Sequence, residues 1–210
     1  MEKLKGKFIT FEGGDGAGKS TQSRLFVEYL NKNGREAVWS REPGGCVEAE
    51  EIRQLLLKGE TNKWDGITEL LLLYAARRVH TERKIKPLLD RNITVVSDRY
   101  FDSSLAYQGF GHGLPLPAID SLRHIVLGDF EPDLTIILDI DTETGLDRSC
   151  RGGGKNRYES MTLEFHRRVK DGFDYIYKAN PKRCIKIDVA DASIETLSRQ
   201  ILEKVEQFFR

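Results

Sequence analysis

Lys7-Phe-Ile-Thr-Phe-Glu12-Gly13-Gly14-Asp15-Gly16-Ala17-Gly18-Lys19-Ser20-Thr21 is the stretch that decides the fold. Its first part, Lys7–Glu12, is short and mostly apolar, the pattern of a strand covered on both faces. The glycine run that follows has the form G-x-x-x-x-G-K-S, a P-loop. Its glycines let the backbone fold into a nest whose N–H groups converge on one anion. Lys19 adds a charge that reaches β- and γ-phosphates, and the Ser20 hydroxyl is a magnesium ligand. A helix begins next, and its positive end faces the same phosphates. Gly13, Gly14, Asp15, Gly16, Ala17, Gly18, Lys19, Ser20 and Thr21 are therefore the expected nucleoside-triphosphate-binding residues.

Working outward, four further runs read as strands: Glu36–Ser40, Ile93–Ser97, Leu134–Asp139 and Cys184–Ile187. Helical segments lie between and after them. In Glu159–Ala179, Phe165, Val169, Phe173 and Ile176 recur at spacings of three and four, and Ser193–Phe209 repeats the pattern. Such alternation predicts an α/β fold with a doubly wound, five-stranded parallel sheet flanked by helices. No repeat or linker divides the chain, so one domain is expected over residues 1–210.

The 33 Lys and Arg balance 33 Asp and Glu, so the net charge is zero and sequence-independent nucleic-acid binding is not expected. The longest apolar stretch, Leu70 to Ala76, is far too short for a bilayer, and the first residues carry no secretory pattern. Three cysteines in no C-x-x-C arrangement suit reduced thiols and a cytoplasmic place.

Sheets of this kind bind ligands at the carboxyl ends of their strands. The expected strand Glu36–Ser40 leads into Arg41-Glu42-Pro43-Gly44-Gly45, and Ile93–Ser97 into Asp98-Arg99-Tyr100. Asp98, opposite the P-loop, is placed to hold magnesium, and Arg99 can grip a phosphate with two parallel bonds. Arg77 sits between them in a long helix. A switch GTPase needs N-K-x-D, and Asn31-Lys32-Asn33-Gly34 lacks the Asp. A small kinase with a second, acceptor pocket is the reading that remains. The competing class is a switch or binding protein that has lost catalysis, against which Asp15, Lys19, Asp98 and Arg99 weigh.

F-E-G-G-D-G-A-G-K-S-T at 11–21, R-E-P-G-G at 41–45, Y-A-A-R at 74–77, D-R-Y at 98–100, S-S-L-A-Y-Q-G at 103–109 and V-L-G-D-F-x-P-D-L-T at 126–135 together carry a resemblance. The chain resembles the bacterial thymidylate kinases from residue 7 to 209. The resemblance implies magnesium-dependent transfer of the γ-phosphoryl of ATP to dTMP by a homodimer, with another pyrimidine nucleotide or nucleoside as the alternative acceptor. It implies that Asp15 meets the acceptor 3′-hydroxyl and that Arg99 holds the acceptor phosphate with Arg41 nearby. It further implies that Arg77 reaches the thymine carbonyl, Ser104 the pyrimidine edge, and Tyr107 and Gln108 the sugar and base. Leu73 stands where many relatives carry a Phe that stacks on thymine, so the stacking contribution is missing here.

Gly16 and Ala17 occupy positions where one branch of the family places an arginine, so the transition-state cation must come from elsewhere. Arg148-Ser-Cys-Arg151-Gly-Gly-Gly-Lys155-Asn-Arg157 is basic and glycine-hinged, and predicts a mobile lid over about 148–158. Arg151 is the expected catalytic arginine, with Lys19, Arg99 and Asp15 completing the catalytic set, and Arg157 is the second candidate. Adenine is expected near Asp188–Asp191. The four histidines have no metal-ligand spacing and read as surface or packing residues.

Overall fold

The structure is a computed structural model that describes residues 6–151, 157–190 and 192–208, with Arg151 described by its backbone alone. Strand β1 (Phe8–Gly13) leads through the glycine loop to helix α1 (Lys19–Lys32), then β2 (Ala37–Arg41), α2 (Val47–Leu57) and α3 (Gly66–His80). A π-helical turn, Thr81–Ile85, joins α3 to α4 (Lys86–Asp90), and β3 (Thr94–Asp98) follows. The single turn α5 (Phe101–Ser104) runs into a π-helical segment, Leu105–Gly111, and then α6 (Leu116–Leu127) and β4 (Leu134–Asp139). Helices α7 (Thr142–Arg151) and α8 (Leu163–Ala179), strand β5 (Cys184–Asp188) and helix α9 (Ile194–Phe208) complete the order.

The five strands form one parallel sheet in the order β2-β3-β1-β4-β5, as the alternation predicts. From β1 the chain goes to the edge strand β2, returns inward to β3, and then crosses to β4 and β5 on the other side, which puts the switch point beside the glycine loop. Strands β1 to β3 lie one residue later than expected, and β5 runs one residue further. The cause is pairing rather than local composition: Gly13 pairs with Leu138, Arg41 with Asp98 and Asp188 with Asp139. Arg41 and Asp98 thus become cross-strand neighbours at the carboxyl edge. The ladder continues past them, with Glu42 N donating to Asp98 O and Arg99 N to Phe11 O, both at 2.9 Å.

Alternate residues of the buried strands feed opposite layers. Ile9, Phe11, Val96 and Ile136 pack with Leu30, Leu197 and Ile201 under α1 and α9. Phe8 and Val95 pack with Leu70, Tyr74 and Tyr100, while Ile137 meets Phe165, Val169 and Phe173 of α8. Leu71 is 54% exposed, whereas Leu70 and Leu73 are buried, so the helical period splits the apolar run of α3. Two helices differ from the sequence expectation. Helix α8 starts at Leu163, not Glu159, because Thr162 caps it by accepting from Phe165 N at 3.2 Å. Helix α9 starts at Ile194, where Ser193 Oγ accepts from Thr196 N.

Candidate active site

The glycine loop closes on itself as its sequence requires. Gly13 and Gly16 hold φ of 131° and 73°, and added Cβ atoms would stand 2.3 Å from Leu138 O and 1.9 Å from Gly145 O. Only glycine fits either position. Lys19 is buried and its Nζ donates to Gly14 O at 2.6 Å. Burial, helped by the nearby Arg99, pushes its ammonium pKa down to about 8. Ser20 Oγ donates to Asp98 Oδ2, so two residues 78 positions apart meet at the start of α1.

Arg99 stands at the centre of the second half. It adopts φ 70°, a left-handed conformation that costs a bulky residue about 1–3 kcal/mol. Its guanidinium supports that geometry with four bonds: Nη1 to Gly13 O (3.1 Å) and Ser103 Oγ (3.0 Å), and Nη2 to Asp15 Oδ1 (2.7 Å) and Tyr107 Oη (3.0 Å). Burial raises the Asp15 carboxyl, but Arg99 and Lys19 outweigh it and hold the group below the usual range. Beneath this cluster Glu12 accepts from Tyr100 N (2.7 Å) and Ser103 Oγ (2.6 Å). Burial, with Asp102 nearby, pushes its carboxyl up to about 8.

Arg77 is buried under the same cavity. Its Nε donates to Glu42 Oε2 (2.7 Å), Nη1 to Ser104 Oγ (2.9 Å) and Nη2 to Tyr100 O (3.1 Å), while the Tyr74 ring lies 4.6 Å beneath its guanidinium. Glu42 also bonds the buried His80 ring at 3.0 Å, and His80 bonds Ser40 at 2.6 Å. His80 is thus a packing histidine. Arg41 donates to Glu50, and Arg53 donates to Pro43 O at 2.6 Å, across a cis Glu42–Pro43 bond.

These groups surround one cavity of about 730 Å³. Asp15, Lys19, Ser20, Arg41, Leu73, Arg77, Asp98, Arg99, Ser104, Tyr107 and Gln108 all line it. So do Gly16, Gly18 and Thr21, whereas Ala17 is fully buried and Gly13 and Gly14 line a small recess behind Asp15. The side chain of Arg151, residues 152–156 of the expected lid and Asp191 of the expected adenine loop lie outside the described residues. Arg157 corrects an expectation: it is no lid cation, because it is fully buried in an ion pair with Glu69 and bonds the backbone of Leu56 and Thr61. Sequence reasoning missed Arg53, Glu12, Glu42 and Glu69. Glu42 lies inside R-E-P-G-G, and its place in that motif was the available signal. Arg53 is one cation on an ordinary helix, and nothing local marks it.

A family profile described as thymidylate kinase matches residues 11–201. The chain belongs to the thymidylate kinase family. It is 46% identical over 203 residues to a thymidylate kinase of Caulobacter vibrioides, covering 97% of each chain. A thymidylate kinase of Magnetococcus marinus is 43% identical over 207 residues, with 98% of both chains covered. The crystal structure of the thymidylate kinase from Ehrlichia chaffeensis superposes with a TM-score of 0.79 at 38% identity, covering 96% of this chain and 99% of that one. The family makes this chain a phosphotransferase enzyme with a P-loop kinase fold. Among the described residues no helix is long and apolar enough to cross a membrane.

Proposed function

We propose that the chain transfers the γ-phosphoryl group of ATP to the 5′-phosphate of dTMP, giving ADP and dTDP, through the residues that line the cavity. The observation that carries this assignment is the Arg99–Asp15 ion pair, which joins the glycine cradle to the arginine-rich side in a single cavity.

In this reading the backbone N–H groups of Gly13 to Thr21 and the Lys19 ammonium hold the phosphates of ATP. Ser20 and Asp98 present adjoining hard oxygens, which fit magnesium arriving with those phosphates. Two protein ligands are enough for an ion whose other positions are filled by substrate oxygens and water. Magnesium would neutralise charge on the β- and γ-oxygens. Arg99, with Arg41 and Arg53 on the flank, holds the acceptor phosphate so that its oxygen attacks the γ-phosphorus in line. The bond to the bridging oxygen breaks and ADP leaves. Arg151, at the end of α7, supplies the cation for the equatorial oxygens. Arg148, one turn earlier, donates to Ala190 O at 3.0 Å and ties α7 to the loop where adenine is expected.

On the acceptor side Arg77 and Ser104 face the base edge, Leu73 its face, Tyr107 the sugar, and Asp15 the 3′-hydroxyl, whose hydrogen a carboxylate accepts. Gln108 completes the base site. A homodimer is part of the reading. Ile67 and Leu71, one turn apart on α3, are 61% and 54% exposed and offer an apolar face. The three cysteines are free thiols, which suits a cytoplasmic place.

The test is ADP production from Mg·ATP with dTMP, dUMP, UMP, CMP, AMP, GMP and thymidine as acceptors. A strong preference for dTMP is expected. Turnover of thymidine without dTMP would move the assignment to a nucleoside kinase, and no turnover at all would make it a nucleotide-binding protein.

A further inference from the structure

Glu69 points inward from α3 and its side chain is fully buried. One oxygen, Oε1, accepts from Gln108 Nε2 at 2.6 Å and lies 3.3 Å from His112 Nε2. The other, Oε2, accepts from Arg157 Nη2. Arg157 gives its remaining donors to the backbone, Nε to Leu56 O and Nη1 to Thr61 O, each at 3.1 Å. The guanidinium is therefore fixed from three sides, and it fixes the carboxylate in turn. Burial pushes the Glu69 carboxyl up, but the nearby His112 ring and the Arg157 guanidinium outweigh burial and keep it below the usual range. It is ionised at neutral pH.

An ionised carboxylate has lone pairs only, so it can accept and cannot donate. A glutamine amide has one donor end and one acceptor end. Facing Glu69, Gln108 must turn its NH₂ toward the carboxylate. Its Oε1 is the end left over, buried and with no hydrogen-bond partner among the described residues. Gln108 lines the cavity together with Leu73 and Arg77.

We propose that Glu69 is a specificity-determining positioning residue. It locks the Gln108 amide in one orientation, so that the group Gln108 can offer a base is an acceptor. This inference rests on the reading that the cavity takes a pyrimidine nucleoside monophosphate, and it says which pyrimidines fit. Thymine and uracil carry an N–H at ring position 3 and match an amide oxygen. Cytosine has a bare lone pair there, which would face the oxygen across a repulsive contact. Rejection of cytosine is then built by a residue that never touches the base.

The arrangement dictates the effect of Glu69→Gln. Arg157 has donors only, so it takes the oxygen of the new amide, whose NH₂ is left facing Gln108. Gln108 must invert to accept from it, and then offers its own NH₂ to the base. The experiment measures kcat/KM for dTMP and dCMP with the wild type and E69Q. The wild type is expected to favour dTMP strongly. In E69Q the dTMP-to-dCMP ratio should shrink by about 100-fold, with most of the change a loss on dTMP. A purely structural Glu69 would lower both acceptors together, and an unchanged ratio overturns the inference. If the uncompensated Arg157 charge prevents E69Q from folding, Gln108→Leu removes the amide while the Glu69–Arg157 pair stays intact; the ratio should shrink there too, and an unchanged ratio overturns the inference. A wild type that ignores dTMP would sink the functional reading itself. A wild type selective for dTMP whose ratio survives both variants sinks this inference alone.

Discussion

The two halves of the cavity are specified in opposite ways. The phosphate cradle is contiguous, running from Gly13 to Thr21, and works mainly through its backbone and one lysine. The acceptor half is assembled by side chains from β2, α3, β3 and the π-helical segment. Its ion pairs join residues 35 positions apart (Arg77 with Glu42), 84 apart (Arg99 with Asp15) and 88 apart (Arg157 with Glu69). Backbone cradles tolerate changes in side chains but not in glycine. Side-chain networks tolerate conservative backbone neighbours but not the loss of a partner, because each lost partner strands a buried charge.

The largest expected effect breaks the network side. Arg77→Met leaves Glu42 buried with only His80 for company, and should destabilise the fold by about 3–5 kcal/mol. Denaturant unfolding measures this loss, and E42Q/R77M should recover much of it. Equal losses in the single and double variants would mean that packing, not charge, holds that site. On the cradle side, Gly13→Ala places a Cβ against Leu138 O in a left-handed backbone, with an expected cost of about 3 kcal/mol. ATP affinity should fall while dTMP binding, read by calorimetry, largely persists. Parallel loss of both ligands would show that the halves are not separable.

A subtler contrast is one of protons. Lys19, with its pKa lowered to about 8, is partly neutral above that pH in the free protein. Phosphates restore its charge, so ATP binding near pH 8 should take up roughly half a proton, and affinity should fall as pH rises further. Calorimetry in two buffers of different ionisation heat measures the uptake, which Lys19→Met should abolish. Glu12→Gln separates this from the Glu12 carboxyl, whose pKa is raised to about 8. Its raised value makes stability fullest below the ordinary carboxyl pKa and weaker as pH climbs from there through 8, so E12Q should flatten that slope; because the Glu12 charge also helps hold the Lys19 ammonium up, the same variant should increase the uptake near pH 8 rather than abolish it. The smallest effect is Leu73→Phe, which restores an aromatic face and should tighten dTMP by about 0.5–1.5 kcal/mol. No change in dTMP affinity would show that the aliphatic face already fills the site.

The same contrast sets how much of the molecule is legible in its sequence. The strands, the cradle and the Asp98-Arg99 edge are legible because their signals are local: apolar runs, glycines and motif spacing. Arg77 and Gln108 enter through resemblance to the family. Of the residues that hold them, Glu42 is marked only by its place in R-E-P-G-G, and Glu69 carries no local mark, since a glutamate in a helix is ordinarily solvated. Arg157 misleads for the same reason. Its neighbours in sequence are basic and glycine-rich and suggest a lid, and only the fold brings Glu69 to it.

The glycine at position 16 has a historical consequence. A side chain there would run into the backbone of Gly145 in α7, so the volume that an arginine would need is already taken by the helix that leads to Arg151. An arginine at position 16 and α7 in its present place are therefore mutually exclusive in this packing. A substitution at position 16 alone does not install such a cation, because α7 would first have to withdraw. A lineage that acquired an arginine at position 16 would have to pass through an intermediate in which α7 is poorly packed.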